Sequence, residues 1–349
     1  MKTFNKIFHF FLTFAFILLS GQLAAQNSQE ASSVDRVGTT SAQFLKITAG
    51  ARAVGMGSAY SAVSDDILAI YWNPAGLSRI NGNGEVIFNH AEWIADTDYD
   101  FAAFSLNLGG VGSLGFSLIS FRTPEQPVRT VSNPEGTGQN WNANSISLGA
   151  TFSKRLTADF SIGFTGKFVQ EKIFNVSATG ASFDLGVLYD TPLKNLTLGA
   201  SISNFGTKMR LDGRDLFFNE SPLANDQGAV DEVPAKYRTD AFEMPLNLRF
   251  GLAYKAVQNE QVEVLLSADG SQPNDNSESL NGGIEIGIKN IVFLRGGYKN
   301  WLRENSEEGF TFGAGLRYDA VGTNFKFDFG WADFGRLQNV KFVSFAIRY

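Results

Sequence analysis

From about residue 84 to its end the chain alternates apolar and polar residues with a period of two. Leu246, Leu248, Phe250, Leu252 and Tyr254 fall on one side of a run, and Asn247, Arg249, Gly251 and Ala253 on the other. Phe325, Phe327, Phe329 and Trp331 alternate with Lys326, Asp328 and Gly330, and Phe310, Phe312, Ala314, Leu316 and Tyr318 with Thr311, Gly313, Gly315 and Arg317. Successive side chains of a strand point to opposite faces, so each run is a strand with one apolar and one polar face. The rhythm recurs at Ile146–Phe152, Phe160–Phe168, Phe183–Tyr189, Leu196–Ile202 and Val262–Ala268.

A soluble sandwich turns such apolar faces inward; a membrane barrel turns them toward lipid. The runs approach the roughly 9–11 residues of a tilted membrane strand. Their polar faces are rich in Gly, Ser and Thr with isolated charges, which suits a confined lumen. Tyr189, Tyr254, Trp301, Tyr318 and Trp331 lie near run ends, where interfacial aromatics belong. Strands are expected at approximately 84–94, 99–108, 111–121, 143–154, 158–170, 178–190, 194–204, 241–256, 260–269, 279–289, 291–299, 309–319, 323–332 and 339–349. Short connections, as at Gly109-Gly110 and Asn290, alternate with longer ones at 122–142, 171–177, 205–240, 270–278, 300–308 and 333–338. This is the pattern of periplasmic turns and extracellular loops. The expected fold is an all-β membrane protein: an antiparallel outer-membrane β-barrel of about fourteen strands over 84–349.

The chain ends on such a run. Val343, Phe345, Ile347 and Tyr349 alternate with Ser344, Ala346 and Arg348. A terminal aromatic on an amphipathic last strand resembles an outer-membrane assembly signal. Pairing this strand with the first would remove both sheet edges, as lipid requires.

The N-terminus reads as an export signal. Lys2 and Lys6 precede an apolar run from Ile7 to Leu19, and Gln22-Leu-Ala-Ala25 offers small residues for cleavage after Ala25. The run falls short of the roughly 20 residues of a spanning helix. Residues 1–25 are therefore expected to be a signal peptide, and 26–43, polar and aperiodic, a flexible lead-in. There is no cysteine, which excludes disulfides, cysteine metal sites and a cysteine lipid anchor. A net charge of −6 with no basic run argues against nucleic acid as a partner.

Residues 44–83 do not fit the strand rhythm. Gly50, Gly55 and Gly57 open the segment. A helix is expected over Ser58–Trp72 from Ala59, Val63, Leu68, Ala69 and Trp72, stopped by Asn73-Pro74. A fourteen-stranded barrel has a lumen too wide for wall side chains alone to fill. The segment is expected to lie inside as a helical plug or hatch.

Phe44-Leu45-Lys46-Ile47, Gly50-Ala51-Arg52-Ala53, Gly55-Met56-Gly57, Asp65-Asp66 and Trp72-Asn73-Pro74-Ala75-Gly76-Leu77 together resemble the N-terminal signature of the PorV/PorQ family, a branch of the FadL-like outer-membrane proteins. The resemblance implies two roles. FadL-like proteins import long-chain fatty acids or other hydrophobic compounds through a lateral wall opening, and their hatch would map to Asn73, Pro74 and Ala75. PorV and PorQ serve type IX secretion, binding translocon, cargo or surface-attachment proteins. The expected role is the type IX accessory, with a transporter of hydrophobic small molecules as the alternative. The expected partners are outer-membrane lipid, type IX proteins or a hydrophobic ligand in the barrel.

Other motifs are weak. Gly50–Gly57 lacks the lysine of a phosphate-binding loop. Asp65 and Asp66 suit an arginine partner such as Arg52. Asp96, Asp98 and Asp100 form DxDxD, but neither the glycine nor the closing glutamate of a calcium loop follows. His90 has no GxSxG serine beside it in sequence. No catalytic, cofactor or metal site is expected. Loop 205–240 carries Leu216, Phe217, Phe218, Val230 and Val233 and is the expected partner-binding loop or lid.

Overall fold

The computed structural model describes residues 36–221, 232–303 and 306–349. Fourteen long antiparallel strands form the wall: β1 Gly84–Trp93, β2 Thr97–Asn107, β3 Ser113–Arg122, β4 Ala143–Arg155, β5 Phe160–Ile173, β6 Val176–Asp190, β7 Leu196–Gly206, β8 Asn247–Gln258, β9 Val262–Pro273, β10 Ser279–Ile288, β11 Val292–Tyr298, β12 Phe310–Ala320, β13 Thr323–Asp333 and β14 Asn339–Arg348. Each pairs with its sequence neighbours, and β1 pairs with β14, so the sheet closes. Across the closing seam Phe88 faces Phe345, and the Tyr349 carbonyl accepts from the amides of Asn83 and Gly84 at 2.7 and 3.1 Å. Every strand therefore has two partners, and no backbone edge is left toward lipid.

The apolar face of every strand points outward. Phe88, Phe250 and Phe312 are exposed by more than half their surface. Neighbouring rings cover one another on this face, as Phe104 does Phe116 at 5.1 Å. The polar face points inward and is buried, yet it is not idle. Hydroxyls of Ser153 and Ser201 donate to the Ala75 and Trp72 carbonyls, while those of Thr311 and Ser344 accept from the Gly57 and Ala51 amides. These groups satisfy the backbone of the chain segment that fills the lumen.

That segment, residues 43–80, is almost wholly buried. It contains a 3₁₀ turn Gln43–Lys46, α1 Ala51–Gly55, α2 Ala69–Trp72 and a 3₁₀ turn Pro74–Arg79. The helix expected over Ser58–Trp72 does not form as one unit; only its last turn is α-helical. Ser58 sits in the left-handed region at φ 63°. The amides of Tyr60 and Ser61 donate to Asp269 of β9 at 2.9 and 2.8 Å. The Leu68 amide donates to the Asp66 carboxylate at 3.0 Å, which starts a new helical turn there. Tertiary acceptors thus take the donors that a helix would have used.

Two further expectations change. The longer loop expected at 171–177 is a two-residue turn, because β5 and β6 stay paired out to Ile173 opposite Val176. Phe174 takes the left-handed conformation the tight turn needs, at φ 50°. Residues 40–43, expected within the flexible lead-in, are fastened: Thr40 and Gln43 donate to Asp275, and the Ser41 amide to the Glu243 carbonyl. The expected signal peptide, residues 1–25, and Val230 lie outside the described residues.

Candidate functional site

The plug meets the wall at three seats. Asn73 is the first. Its Nδ2 donates to the carbonyls of Ser61 at 2.8 Å and Val187 at 3.0 Å, and its Oδ1 accepts from the Ala75 amide. Pro74 follows at the first position of the 3₁₀ turn, where a missing N–H does no harm. The wall opposite is bare. A Cβ on Gly186 would lie 2.1 Å from Asn73 Oδ1, and one on Gly163 would lie 2.2 Å from the Pro74 carbonyl carbon. The Asn-Pro-Ala backbone therefore lies directly on the sheet.

Asp269 is the second seat. It accepts from both the amide and the hydroxyl of Ser61 and from the Tyr60 amide. The third seat is ionic. Arg52 on α1 bonds Asp65 at 2.6 Å, Asp66 at 2.8 Å and both oxygens of Glu285 on β10. Glu285 also accepts from Arg295, which reaches Asp328 at 2.7 Å. The Tyr60 hydroxyl donates to Asp66 at 2.7 Å. Burial opposes ionisation of Asp66, but Arg52 outweighs it and holds the carboxyl at about 2. Of the other expected plug residues, Gly50 leaves room for Leu68 and Gly57 for the Gly282 carbonyl, and Gly55 lies against Gly313.

Beside the plug the lumen stays open. A chamber of about 290 Å³ is bounded by Gln43, Thr48, Tyr71 and Trp72 of the plug, Trp93 of β1, and Asn247, Arg249, Asn281 and Lys299 of the wall and its loops. Lys46 and Arg303 also line it. Lys46 pairs with Asp275 at 2.8 Å and Lys299 with Glu308 at 2.6 Å. Arg249 lies over the Trp72 ring at 5.1 Å and the Tyr71 ring at 5.9 Å.

Tyr71 and Arg249 also border a narrow crevice lined by Leu45, Ile70, Phe101, Ile119 and Ser147, which extends to Lys167 and Asp184. Those two side chains pair at 2.8 Å. Lys167 borders in addition a concavity on the outer wall between Phe116, Leu148, Phe168 and Phe183, with Gly149, Ala150 and Gly166 in its floor. Chamber and crevice share Tyr71 and Arg249, and crevice and outer concavity share Lys167, the crevice itself being tight at about 20 Å³.

The expected partner loop lies apart from this. Phe217 and Phe218 belong to a short strand that pairs with Val233–Lys236. Phe217 and Val233 are exposed, Leu216 is half-buried, and Phe218 stacks on Tyr237 at 4.3 Å. On β14, Val343 and Phe345 face outward beside a half-buried Ile347, and Tyr349 ends the chain at the closing seam. Asp100 of the DxDxD run is engaged by His90 at 2.8 Å and Arg122 at 2.9 Å. Among the described residues no three His, Cys, Asp or Glu are grouped to hold a metal.

Sequence reasoning placed Arg249 and Lys326 on the polar, inward face but missed Asp269 and Glu285 as plug seats. Their signal was present: each is a carboxylate at an inward position of an alternating run.

No curated protein matches this sequence. The fold is similar to that of the Pseudomonas putida toluene transporter TodX, with a TM-score of 0.51 and 14% identity over 86% of this chain and 96% of that one. It is likewise similar to the Ralstonia pickettii toluene transporter TbuX, with a TM-score of 0.50 and 14% identity over 86% of this chain and 97% of that one. The likeness is one of fold: a closed antiparallel β-barrel. The model of the uncharacterised protein family UPF0164 matches residues 19–202, more than half of the sequence, and the chain belongs to that family.

Proposed function

We propose that this barrel is a channel for small hydrophobic or amphipathic molecules, and is not an enzyme. One observation carries the reading. The interior holds a chamber, and the residues that end it, Tyr71 and Arg249, begin a crevice that reaches the wall at Lys167 beside an apolar concavity facing lipid. A barrel that served only as a scaffold would have no use for spaces in series between its lumen and the membrane. That the two similar barrels are toluene transporters supports the same reading. In this reading a ligand enters the chamber, Arg52 and its carboxylates keep the plug seated, and passage toward lipid requires Lys167 and Asp184 to part.

The test is uptake of radiolabelled toluene by cells that lack their own hydrocarbon channel and carry this barrel in the outer membrane. Uptake above the empty-vector rate supports the channel. Uptake at the vector rate by a folded, heat-modifiable barrel overturns it.

The type IX accessory role implied by the PorV/PorQ resemblance is the second reading. It draws on the exposed Phe205, Phe217, Tyr237 and Phe242 at the loop end of the barrel, an apolar set suited to protein contact. Affinity capture of the tagged protein from outer membranes in mild detergent separates the two. Recovery of a translocon or of secreted cargo favours the accessory; recovery of the barrel alone removes it.

A further inference from the structure

We propose that the lumen chamber is an anion-recognition site whose ligand is a one-ring aromatic carboxylate, held through its carboxylate by Arg249. The proposal rests on the channel reading for its biological use and names the class of molecule that the channel would select.

The starting point is a contrast among buried arginines. Arg52 meets three carboxylates, and Arg295 meets Glu285 and Asp328. Arg249 is as buried, at 9% exposure, yet among the described residues it forms no salt bridge. Its hydrogen bond to the Ser203 hydroxyl is long, at 3.3 Å. The Asp269 carboxylate on the adjacent strand acts on Arg249 through space without a salt bridge, so a largely desolvated guanidinium is left with no carboxylate in direct contact, at a cost in solvation. Retaining it there makes sense where an anion arrives to pair with it. The Trp72 and Tyr71 rings beneath it hold the guanidinium plane in place, which leaves its fork of N–H donors ready for a carboxylate.

The surroundings have the same sign. Lys46, Arg249, Lys299 and Arg303 line the chamber. Lys46 is paired with Asp275 and Lys299 with Glu308, which leaves Arg249 and Arg303 as the lining cations with no salt bridge among the described residues, an excess that favours an anion. Its volume of about 290 Å³ lies at the small end of ligand pockets, which span roughly 300–1,000 Å³. That admits a single-ring acid with a few waters. The Tyr71 and Trp93 rings bordering it offer flat apolar surface to the ligand's ring.

The test is calorimetric titration of the full detergent-solubilised barrel with phenylacetate and with its neutral isostere phenylacetamide. Phenylacetate is expected to bind at least about tenfold more tightly, the minimum for one buried charged hydrogen bond. Arg249→Gln is expected to lose about that factor for phenylacetate and to lose less for phenylacetamide, whose carbonyl accepts only a neutral hydrogen bond's worth from the guanidinium. Because Arg249 also packs on the plug, each variant is first checked for heat-modifiable mobility. The comparison of the two ligands on the wild-type barrel needs no variant at all. Equal affinity of acid and amide, or no binding of phenylacetate at millimolar concentration, overturns the proposal. Binding of phenylacetate without barrel-dependent uptake supports the site and removes the channel reading instead.

Discussion

Arg52 and Glu285 meet fork to fork across the plug–wall boundary, Nε to Oε2 at 2.9 Å and Nη2 to Oε1 at 2.7 Å. The pair joins residues 233 positions apart and is buried on both sides. It is a buried, bidentate tether between the plug and the barrel.

Removing one partner strands the other. Arg52→Met leaves Glu285 with Arg295 but deprives Asp65 and Asp66 of their cation, and is expected to weaken plug seating by about 3–5 kcal/mol. Planar-bilayer recordings should show larger and more frequent openings, with the barrel still folded. Asp65→Asn is the contrast. Its side chain is 44% exposed, so the expected loss is about 0–1 kcal/mol and the recordings should match wild type.

The same tether responds to acid. Asp66 has a folded pKa of about 2, below its ordinary 3.8. A depressed pKa stabilises the seated plug at pH values above the unfolded pKa, and that contribution is lost as pH falls from about 4 toward 2. The difference in Trp72 fluorescence between wild type and Asp66→Asn, followed from pH 7 downward, should hold steady to about pH 4 and change below it. Asp66→Asn should remove this contribution to the transition.

The Asn-Pro-Ala seat depends on absent side chains in the wall. Gly163→Ala sets a methyl against the Pro74 backbone, and Gly186→Ala sets one against Asn73. Each is expected to destabilise plug docking by at least about 1–3 kcal/mol, since backbone cannot move aside as a side chain would. Gly282→Ala, where nothing lies within 4 Å, should be silent. Thermal unfolding followed by limited proteolysis at the plug measures both.

The barrel closes between β1 and β14. Phe345 faces Phe88 on one side and Phe327 on the other, with its ring toward lipid. Phe345→Arg places a charge on that face, at a cost of about 2–4 kcal/mol near the bilayer midplane. The heat-modifiable, folded fraction in outer membranes should drop, whereas Phe345→Leu should not change it.

How much of this was legible in the sequence follows from the range of the forces. The alternation in Phe325–Trp331 is local, fixed by the pleat and by lipid on one side, and it emerges as β13 with Phe327 outside and Lys326 inside. The Asn73-Pro74 stop is also local. The path of residues 58–68 is not, because Asp269, more than 200 residues away, takes the Tyr60 and Ser61 amides. The turn at Phe174-Asn175 was hidden for a similar reason: cross-strand pairing extends β5 and β6 beyond the apolar pattern. Arg249 was visible as a lumen charge. That no carboxylate among the described residues forms a salt bridge with it depends on which strands stand beside it, which a single sequence does not display.

The route from chamber to wall is tested most directly by filling the crevice. Ser147 points inward on β4, is almost fully buried and lines the crevice. The crevice is about 20 Å³, so Ser147→Val would occupy it while leaving the chamber and the ionic tether in place. Uptake of labelled toluene by cells carrying wild type or Ser147→Val is the measurement, with heat-modifiable mobility confirming that both are folded. A fall of roughly tenfold or more, equivalent to about 1.4 kcal/mol in barrier, is the predicted result. Uptake at the wild-type rate with the crevice filled would contradict passage through it.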